Sequence, residues 1–290
     1  MKPPPFDYHD PETSAEAIAL LTEHGDEATI LAGGQSLMPL LNFRLARPDR
    51  LVDINRVAEL DYISEENGTL RIGAMTRQAT LERSDVARER CPLLLDGLRW
   101  VGHAQIRNRG TVGGSIAHAD PAAELPVVCT ALDARMRVRS ADGERTVDAK
   151  DFFVTHLMTA VQPDELLTEI EFPTITGERT GTAFVEFSRR HGDFALGGAA
   201  VALTLDDSGV CSVARIALLS AAPTPIRATD AEEILPGRTI DEEAAREAQA
   251  KTEAAISPTG DMHGSGEYRR GLIGAMVRRA LVAANERASG

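Results

Sequence analysis

The stretch ATILAGGQS, residues 28–36, joins a short apolar run to two glycines and a small polar residue. The apolar run predicts a buried strand, and Gly33 and Gly34 predict a turn in which the backbone can approach a ligand closely. Successive N–H groups in such a turn form a concave site for an anion. A helix is expected from Leu37, with Ser36 as its cap, and its positive end would favour the same anion.

A second stretch, RNRGTVGGS at residues 107–115, repeats this pattern. An extended run is expected to lead to Gly113 and Gly114, and Ser115 follows them. Thr111 and Ser115 would offer hydroxyl donors, and the glycines amide donors, to an anion. For either glycine pair alone, an ordinary turn is the simpler interpretation. Together the two pairs favour a diphosphate site, although neither fits a P-loop or the GxGxxG fingerprint.

The first 175 residues predict two α/β units, over residues 1–55 and 56–175. Thr13 and Glu16 fit a capping box at the start of a helix, and Gly25 can end that helix in a left-handed conformation. Pairs of short strands and short helices are expected in the second unit. The chain therefore begins with a small unit that carries the first glycine pair, and the second unit carries the other.

Turn residues organise the remainder of the chain. Asn67-Gly68 and Asp142-Gly143 predict hairpins, and Asp120-Pro121 predicts the start of a helix over 121–132. A turn-rich boundary is expected at 173–182. Beyond it, the pattern predicts three strands, over residues 183–188, 199–205 and 210–219. Three helices are expected after them, over residues 230–235, 241–255 and 267–286.

Composition excludes several classes of protein. A chain of 290 residues that is 43% hydrophobic is large enough for two or three packed domains. A net charge of −13 argues against a nucleic-acid partner. The start of the chain lacks a signal-type apolar run and no stretch is long enough to span a membrane, so a cytoplasmic protein is expected. Cys91, Cys129 and Cys211 are far apart, which argues against a disulfide framework, a zinc site or an iron–sulfur cluster on this chain.

The two glycine stretches resemble the FAD-diphosphate loops of the flavin-carrying medium subunits of molybdenum hydroxylases, in particular those of the carbon monoxide dehydrogenase medium-chain type. The likeness extends to Asp120-Pro121, to RRHGDFA at residues 189–195 and to EYRR at 267–270, and it covers nearly the whole chain. It implies an α+β fold. A two-subdomain FAD-binding domain of the p-cresol methylhydroxylase type would span residues 1–175, and a C-terminal domain with a three-stranded antiparallel sheet and a helix bundle would span 176–290.

The resemblance also implies an electron-transfer role. FAD on this chain would pass electrons from two-iron, two-sulfur clusters on a small subunit to an external acceptor, and a large subunit would carry molybdopterin. The assembly would be a dimer of heterotrimers in the cytoplasm, with an association with the inner face of the membrane through the partners left open. No residue of this chain would be catalytic or bind a metal. The implied FAD-binding residues are Ala32, Gly33, Gly34, Gln35, Ser36, Leu37, Thr111, Val112, Gly113, Gly114, Ser115, His118, Asp120 and Phe194.

Several of these residues have a second interpretation. Asp120 can accept a hydrogen bond from the flavin or cap the next helix, and His118 can be an ordinary packed or solvated histidine. Phe194 stands where the family often carries a tyrosine over the flavin ring, and it can equally be a core aromatic between strands. Arg107 and Arg109 can offset diphosphate charge or serve as surface residues.

Two other functions remain open from the sequence. One is a self-sufficient flavin reductase or oxidase of the same fold superfamily, resembling the enolpyruvyl-sugar reductase of cell-wall synthesis. It would need its own substrate pocket with a proton donor, which the sequence does not identify. The other is an assembly module that has kept the fold without the cofactor.

Overall fold

The computed structural model describes residues 1–175, 177 and 179–290. Its N-terminal unit is a three-stranded parallel sheet in the order β1-β3-β2, with a helix between β1 and β2. The elements are β1 (Asp7–His9), α1 (Ser14–His24), β2 (Ala28–Leu31), α2 (Leu37–Asn42) and β3 (Arg50–Asp53). The Thr13 half of the predicted capping box is confirmed, because Thr13 Oγ1 accepts a hydrogen bond from Glu16 N at 3.2 Å, and Gly25 has φ 49°. The Glu16 half differs, since its carboxylate accepts from Glu12 N at 2.8 Å rather than from Thr13 N.

The middle unit is built on a five-stranded antiparallel sheet in the order β4-β5-β10-β6-β7. Both predicted hairpins are confirmed. The strand that the sequence pattern did not predict, β10, lies at the centre of the sheet. The elements are β4 (Ile63–Glu66), β5 (Thr69–Gly73), α3 (Gln78–Glu82), α4 (Asp85–Arg90), α5 (Pro92–Leu98), α6 (Ala104–Arg109), α7 (Val112–His118), α8 (Glu124–Ala131), β6 (Arg135–Ser140), β7 (Gly143–Asp148), α9 (Ala149–Phe152), β8 (Phe153–Thr155), β9 (Met158–Thr159) and β10 (Leu166–Pro173).

Two expectations for the middle unit were wrong. The run before the second glycine pair is the helix α6 rather than an extended segment, and the glycines lie in the first turn of α7, which Thr111 caps. The helix expected over 121–132 begins only at Glu124. The reason is that Asp120 Oδ1 accepts a hydrogen bond from Ala122 N at 2.8 Å, which forms a local turn, and Ala123 is still extended.

The C-terminal unit is a four-stranded antiparallel sheet with two long helices on one face. The three predicted strands are confirmed, and a two-residue strand is added at the edge. Within the predicted boundary at 173–182, residues 176 and 178 lie outside the described part of the chain. The elements are β11 (Thr180–Phe187), β12 (Gly197–Leu205), β13 (Cys211–Leu219), β14 (Ile226–Arg227), α10 (Thr229–Glu232), α11 (Glu242–Ala255) and α12 (Gly266–Ser289).

Both faces of the C-terminal sheet are buried. On β11, Ala183 packs with α12, whereas Phe184 packs with α5 of the middle unit. Ala200 and Ala202 of β12 face the middle unit as well, so one hydrophobic core runs through both units. Among the described residues, no helix is both long and apolar enough to cross a bilayer.

Candidate functional site

A cleft of 550 Å³ runs between the two glycine stretches and the segment after β11. Every residue that the resemblance implied as FAD-binding lines this cleft, with the exception of Val112. The Val112 side chain is fully buried in the core of the middle unit, since the first residue of α7 faces inward. The fold therefore brings together side chains that are more than 150 positions apart in the sequence, from Ala32 to Phe194.

The first glycine stretch leaves a row of backbone N–H groups free. None of the N–H groups of residues 33–37 donates a hydrogen bond to any residue that the structure describes. The carbonyl groups are used instead: Gly34 O accepts from Met38 N at 3.1 Å, and Gly33 O accepts from Gln35 Nε2 at 2.9 Å. Backbone N–H groups need a partner, so a row of free donors in a cleft fits an anionic ligand.

The predicted cap at Ser36 was wrong. Ser36 has helical backbone angles, and its side chain accepts no hydrogen bond from α2. The chain turns earlier, at Gly34, whose φ of 72° is favourable only for glycine. The hydroxyl of Ser36 is therefore left in the cleft beside the free N–H groups.

The two glycine stretches are in direct backbone contact. A Cβ at Gly33 would lie 2.5 Å from the carbonyl oxygen of Arg109 and 2.8 Å from Gly110 Cα. The guanidinium of Arg77 also donates to the Arg109 carbonyl, and to Asn55 Oδ1 at 2.6 Å. The absence of a side chain at Gly33 thus sets the distance between the walls of the cleft.

The second glycine stretch does not offer the amide donors that the sequence suggested. All four N–H groups of residues 112–115 have partners within the chain, at 2.9–3.2 Å, which are Thr76 O, Ala74 O, Thr111 Oγ1 and Thr111 O in that order. Two of these acceptors lie just after β5, which no local pattern indicates. The hydroxyl groups of Thr111 and Ser115 remain as donors, and the glycines allow α7 to pack closely.

We expect Thr111→Val to lower the free energy of unfolding by about 1 kcal/mol, because valine keeps the shape but cannot accept from Gly114 N. Urea unfolding of the cofactor-free protein measures this loss. Thr111→Ser is the matched control and should remain close to the wild type. Equal unfolding midpoints for the two variants would show that the cap contributes nothing.

The other end of the cleft is aromatic. Phe194 is 74% exposed and lines the cleft, so its interpretation as a core aromatic was wrong. Its segment is anchored by the ring of His191, whose centroid is 6.4 Å from that of Trp100 and 5.9 Å from that of His103. Gly192 has φ 89°, and a Cβ there would lie 2.7 Å from the His103 ring. An exposed aromatic face at this position can cover a planar ring.

The two candidate arginines differ in role. Arg107 lies 3.0 Å from Glu82 and donates to Val101 O at 2.9 Å, so it stabilises the short helix α6. Arg109 is exposed and lines a neighbouring depression of 530 Å³, which is also lined by Gly33 and Gly34 of the first glycine stretch. In the described part of the chain it has no ion-pair partner. Arg109 is therefore the one of the two that can offset charge on a ligand at residues 33–37.

Sequence reasoning missed Glu124, the first residue of α8. This residue is 9% exposed and lines the cleft. Burial, reinforced by Asp120, raises the pKa of this carboxyl group to about 7. The sequence feature that could have pointed to Glu124 is its place directly before the apolar run LPVV, which predicts burial of the neighbouring residues.

Comparisons with known proteins give one consistent result. The family described as the FAD binding domain in molybdopterin dehydrogenase matches residues 4–175, and the one described as the CO dehydrogenase flavoprotein C-terminal domain matches 182–284. The 6-hydroxypseudooxynicotine dehydrogenase complex subunit alpha of Paenarthrobacter nicotinovorans is 47% identical over 99% of this chain and 97% of its own length. The carbon monoxide dehydrogenase medium chain of Hydrogenophaga pseudoflava is 39% identical over 98% of each chain.

Solved structures agree. A carbon monoxide dehydrogenase from Hydrogenophaga pseudoflava that lacks the Mo-pyranopterin moiety contains a chain that is 41% identical, with a TM-score of 0.95 and 99% coverage of both chains. A chain of quinoline 2-oxidoreductase from Pseudomonas putida 86 is 38% identical, with a TM-score of 0.95 and complete coverage of both. The α+β fold class is confirmed by these similarities.

Proposed function

Because the chain belongs to the family of FAD-binding medium subunits of molybdenum hydroxylases, we propose that its cleft holds FAD, with the diphosphate on the N–H groups of residues 33–37. The row of free donors is the observation that carries this proposal. A diphosphate has enough acceptor oxygens to pair with several N–H groups at once, and Arg109 adds a positive charge next to them.

The remaining contacts follow from the lining of the cleft. Thr111 and Ser115 would donate hydroxyl hydrogens, Phe194 would cover the flavin ring, and His118 and Asp120 would lie along it. The proposed FAD-binding residues are therefore those implied by the sequence, without Val112 and with Glu124. Asp120 can serve both its local turn and the cofactor, since only one of its oxygens accepts from Ala122 N.

The chain is the FAD subunit of an oxidoreductase complex, in which a large subunit carries molybdopterin and a small subunit carries iron–sulfur clusters. Bound FAD exchanges electrons singly or in pairs, so it can join these clusters to an external acceptor. The residues of this chain bind and orient the cofactor. We further propose that the complex is a dimer of heterotrimers and that it works in the cytoplasm.

The domain organisation is part of the same proposal. An FAD-binding domain would span residues 1–175, with subdomains over 1–55 and 56–175, and a C-terminal domain would span 176–290. A separate hydrophobic cluster around α12 supports the last of these units. The cluster around α1 also includes Met75 and Leu166, so the two subdomains of the FAD-binding domain share it.

We expect that NADPH alone does not bleach the flavin of the purified chain, whereas the partner subunits with their substrate do. The reason is that this chain supplies no nicotinamide fingerprint and receives its electrons from a partner. Anaerobic absorbance spectroscopy measures both rates. Rapid bleaching by NADPH alone would favour a self-sufficient reductase. A colourless chain that cannot be reconstituted with FAD would favour an assembly module.

A further inference from the structure

The C-terminal unit reaches the cleft through one short segment. Of the described residues after β10, only 192–194 line the cleft, and they belong to the connecting segment, residues 188–196, which joins β11 to β12. Phe194 is 74% exposed, so packing of its own side chain does little to fix its position. The position of Phe194 on the cleft therefore depends on how the backbone on either side of it is held.

Arg269, in the first turn of α12, holds the end of the connecting segment. Its guanidinium donates to the carbonyl oxygen of Leu196 at 3.2 Å and to Asp261 Oδ2 at 2.7 Å. Arg269 is 8% exposed, and a buried guanidinium needs an acidic partner, which Asp261 supplies. The other oxygen of Asp261 accepts from His263 N at 2.8 Å. The carbonyl group of Leu196 is thus attached to the long helix α12.

Ser220, directly after β13, makes a second attachment. Its Oγ donates to the carbonyl oxygen of Ala195 at 2.9 Å, and its N–H donates to that of Pro121 at 3.1 Å. Pro121 follows Asp120, which lines the same cleft. Ser220 has φ 57°, a left-handed conformation that is costly for serine and persists only where the surroundings hold it. One residue therefore ties the connecting segment to the turn at Asp120.

The beginning of the connecting segment is attached to the middle unit. His191 and Gly192 contact the rings of Trp100 and His103, as described above. The segment is therefore held on both sides of Phe194, by residues 191–192 before it and by residues 195–196 after it. With both flanks fixed, the backbone of Phe194 can keep one position while its ring remains exposed to the cleft.

We propose that Arg269 and Ser220 are positioning residues for the cofactor site, which fix Phe194 on the cleft so that its ring covers the flavin. This inference rests on the proposed binding of FAD in the cleft. Neither Arg269 nor Ser220 lines the cleft, so neither would touch the cofactor. The EYRR stretch at 267–270 thereby acts on the site from a distance, since Arg269 lies 73 positions after Leu196.

A double-mutant cycle tests whether Arg269 acts through Phe194. We expect Arg269→Gln to lower the affinity for FAD about 10-fold, and Phe194→Ala to lower it by a similar factor. Because both changes remove the same covering ring, the double variant should bind FAD no more weakly than Phe194→Ala alone. Fluorescence titration measures each affinity. The visible circular dichroism of the bound flavin should also change in the same direction in both single variants.

Arg270→Gln is the matched control, because Arg270 is the exposed neighbour of Arg269 and carries the same charge. It should bind FAD like the wild type. If Arg269→Gln does not fold, Ser220→Ala completes the same cycle with Phe194→Ala, since it removes only the hydroxyl that donates to Ala195 O. Losses of affinity that multiply in the double variant would show a general structural effect and overturn the proposal.

A measurement without cofactor separates this proposal from that of FAD binding. Arg189 and Arg190 are exposed residues of the connecting segment, so trypsin can cleave there when the segment is released. Cofactor-free Arg269→Gln and Ser220→Ala should be cleaved at these two sites several-fold faster than the wild type and Arg270→Gln. Mass spectrometry identifies the sites, and cleavage elsewhere in the chain should not accelerate.

The outcomes of the two experiments are distinguishable. Equal cleavage of the connecting segment in the wild type and in both variants would overturn the proposal, whatever the affinity for FAD. If cleavage accelerates but the wild-type chain binds no FAD, the proposed function fails, and the role of Phe194 over the flavin is overturned with it. Faster cleavage together with a double variant that matches Phe194→Ala is the result that the proposal predicts.

Discussion

The Gly33→Val chain is expected to purify without FAD, with an affinity at least about 100-fold below that of the wild type. The valine Cβ would lie 2.5 Å from the carbonyl oxygen of Arg109, so the two glycine stretches must separate. The N–H groups of residues 33–37 would then be displaced, and the width of the cleft would change. The ratio of flavin absorbance to protein absorbance measures occupancy.

Gly271→Val is the matched control for this substitution. Gly271 lies on the exposed side of α12, where an added Cβ meets no atom within 4 Å. This variant should keep full FAD occupancy. Urea unfolding of both variants establishes that they are folded. Normal FAD content in a folded Gly33→Val chain would contradict the role assigned to the contact between the two stretches.

The second large effect concerns the pH dependence of stability. The pKa of Glu186 is about 8 in the folded chain and 4.5 without the fold, so the folded state binds more protons between these values. The stability associated with Glu186 is complete below the unfolded pKa and is lost as the pH rises through the folded pKa. The wild type should therefore lose on the order of 3 kcal/mol or more over this range, and Glu186→Gln should lose much less.

Urea unfolding of the cofactor-free protein at a series of pH values measures this difference. The stability of Glu186→Gln relative to wild type should rise steadily from acid to alkaline pH, because glutamine does not titrate. Glu89 is exposed, so Glu89→Gln is the matched control and should follow the wild-type curve. Parallel curves for the wild type and Glu186→Gln would mean that Glu186 ionises normally and that its burial does not hold a proton.

The turn of the first glycine stretch could be predicted from the sequence because its determinants are local, whereas the contact of Gly33 with Arg109 could not. An apolar run, a glycine pair and a helix within one short segment specify both the turn and the free N–H groups. The second stretch has the same glycines, but its N–H groups bond to Ala74 and Thr76, more than 30 residues earlier. Only the folded chain reveals that α7 docks against the end of β5.

The two buried glutamates Glu186 and Glu124 show a different limit. A single glutamate in FVEF suggests a strand with one polar residue facing water. That interpretation fails because the C-terminal sheet is buried on both faces, by α12 on one side and the middle unit on the other. Likewise, the sequence alone suggests that Glu124 is an ordinary acidic residue at the start of a helix. Its position on the cleft depends on the turn that Asp120 makes before it.

Titration of the cofactor-free chain with FAD and with riboflavin, followed by flavin fluorescence, tests the central claim that residues 33–37 hold a diphosphate. We predict one FAD per chain and much weaker binding of riboflavin, which has the same ring but no phosphate. Riboflavin that binds as tightly as FAD, or FAD that does not bind, would contradict the account.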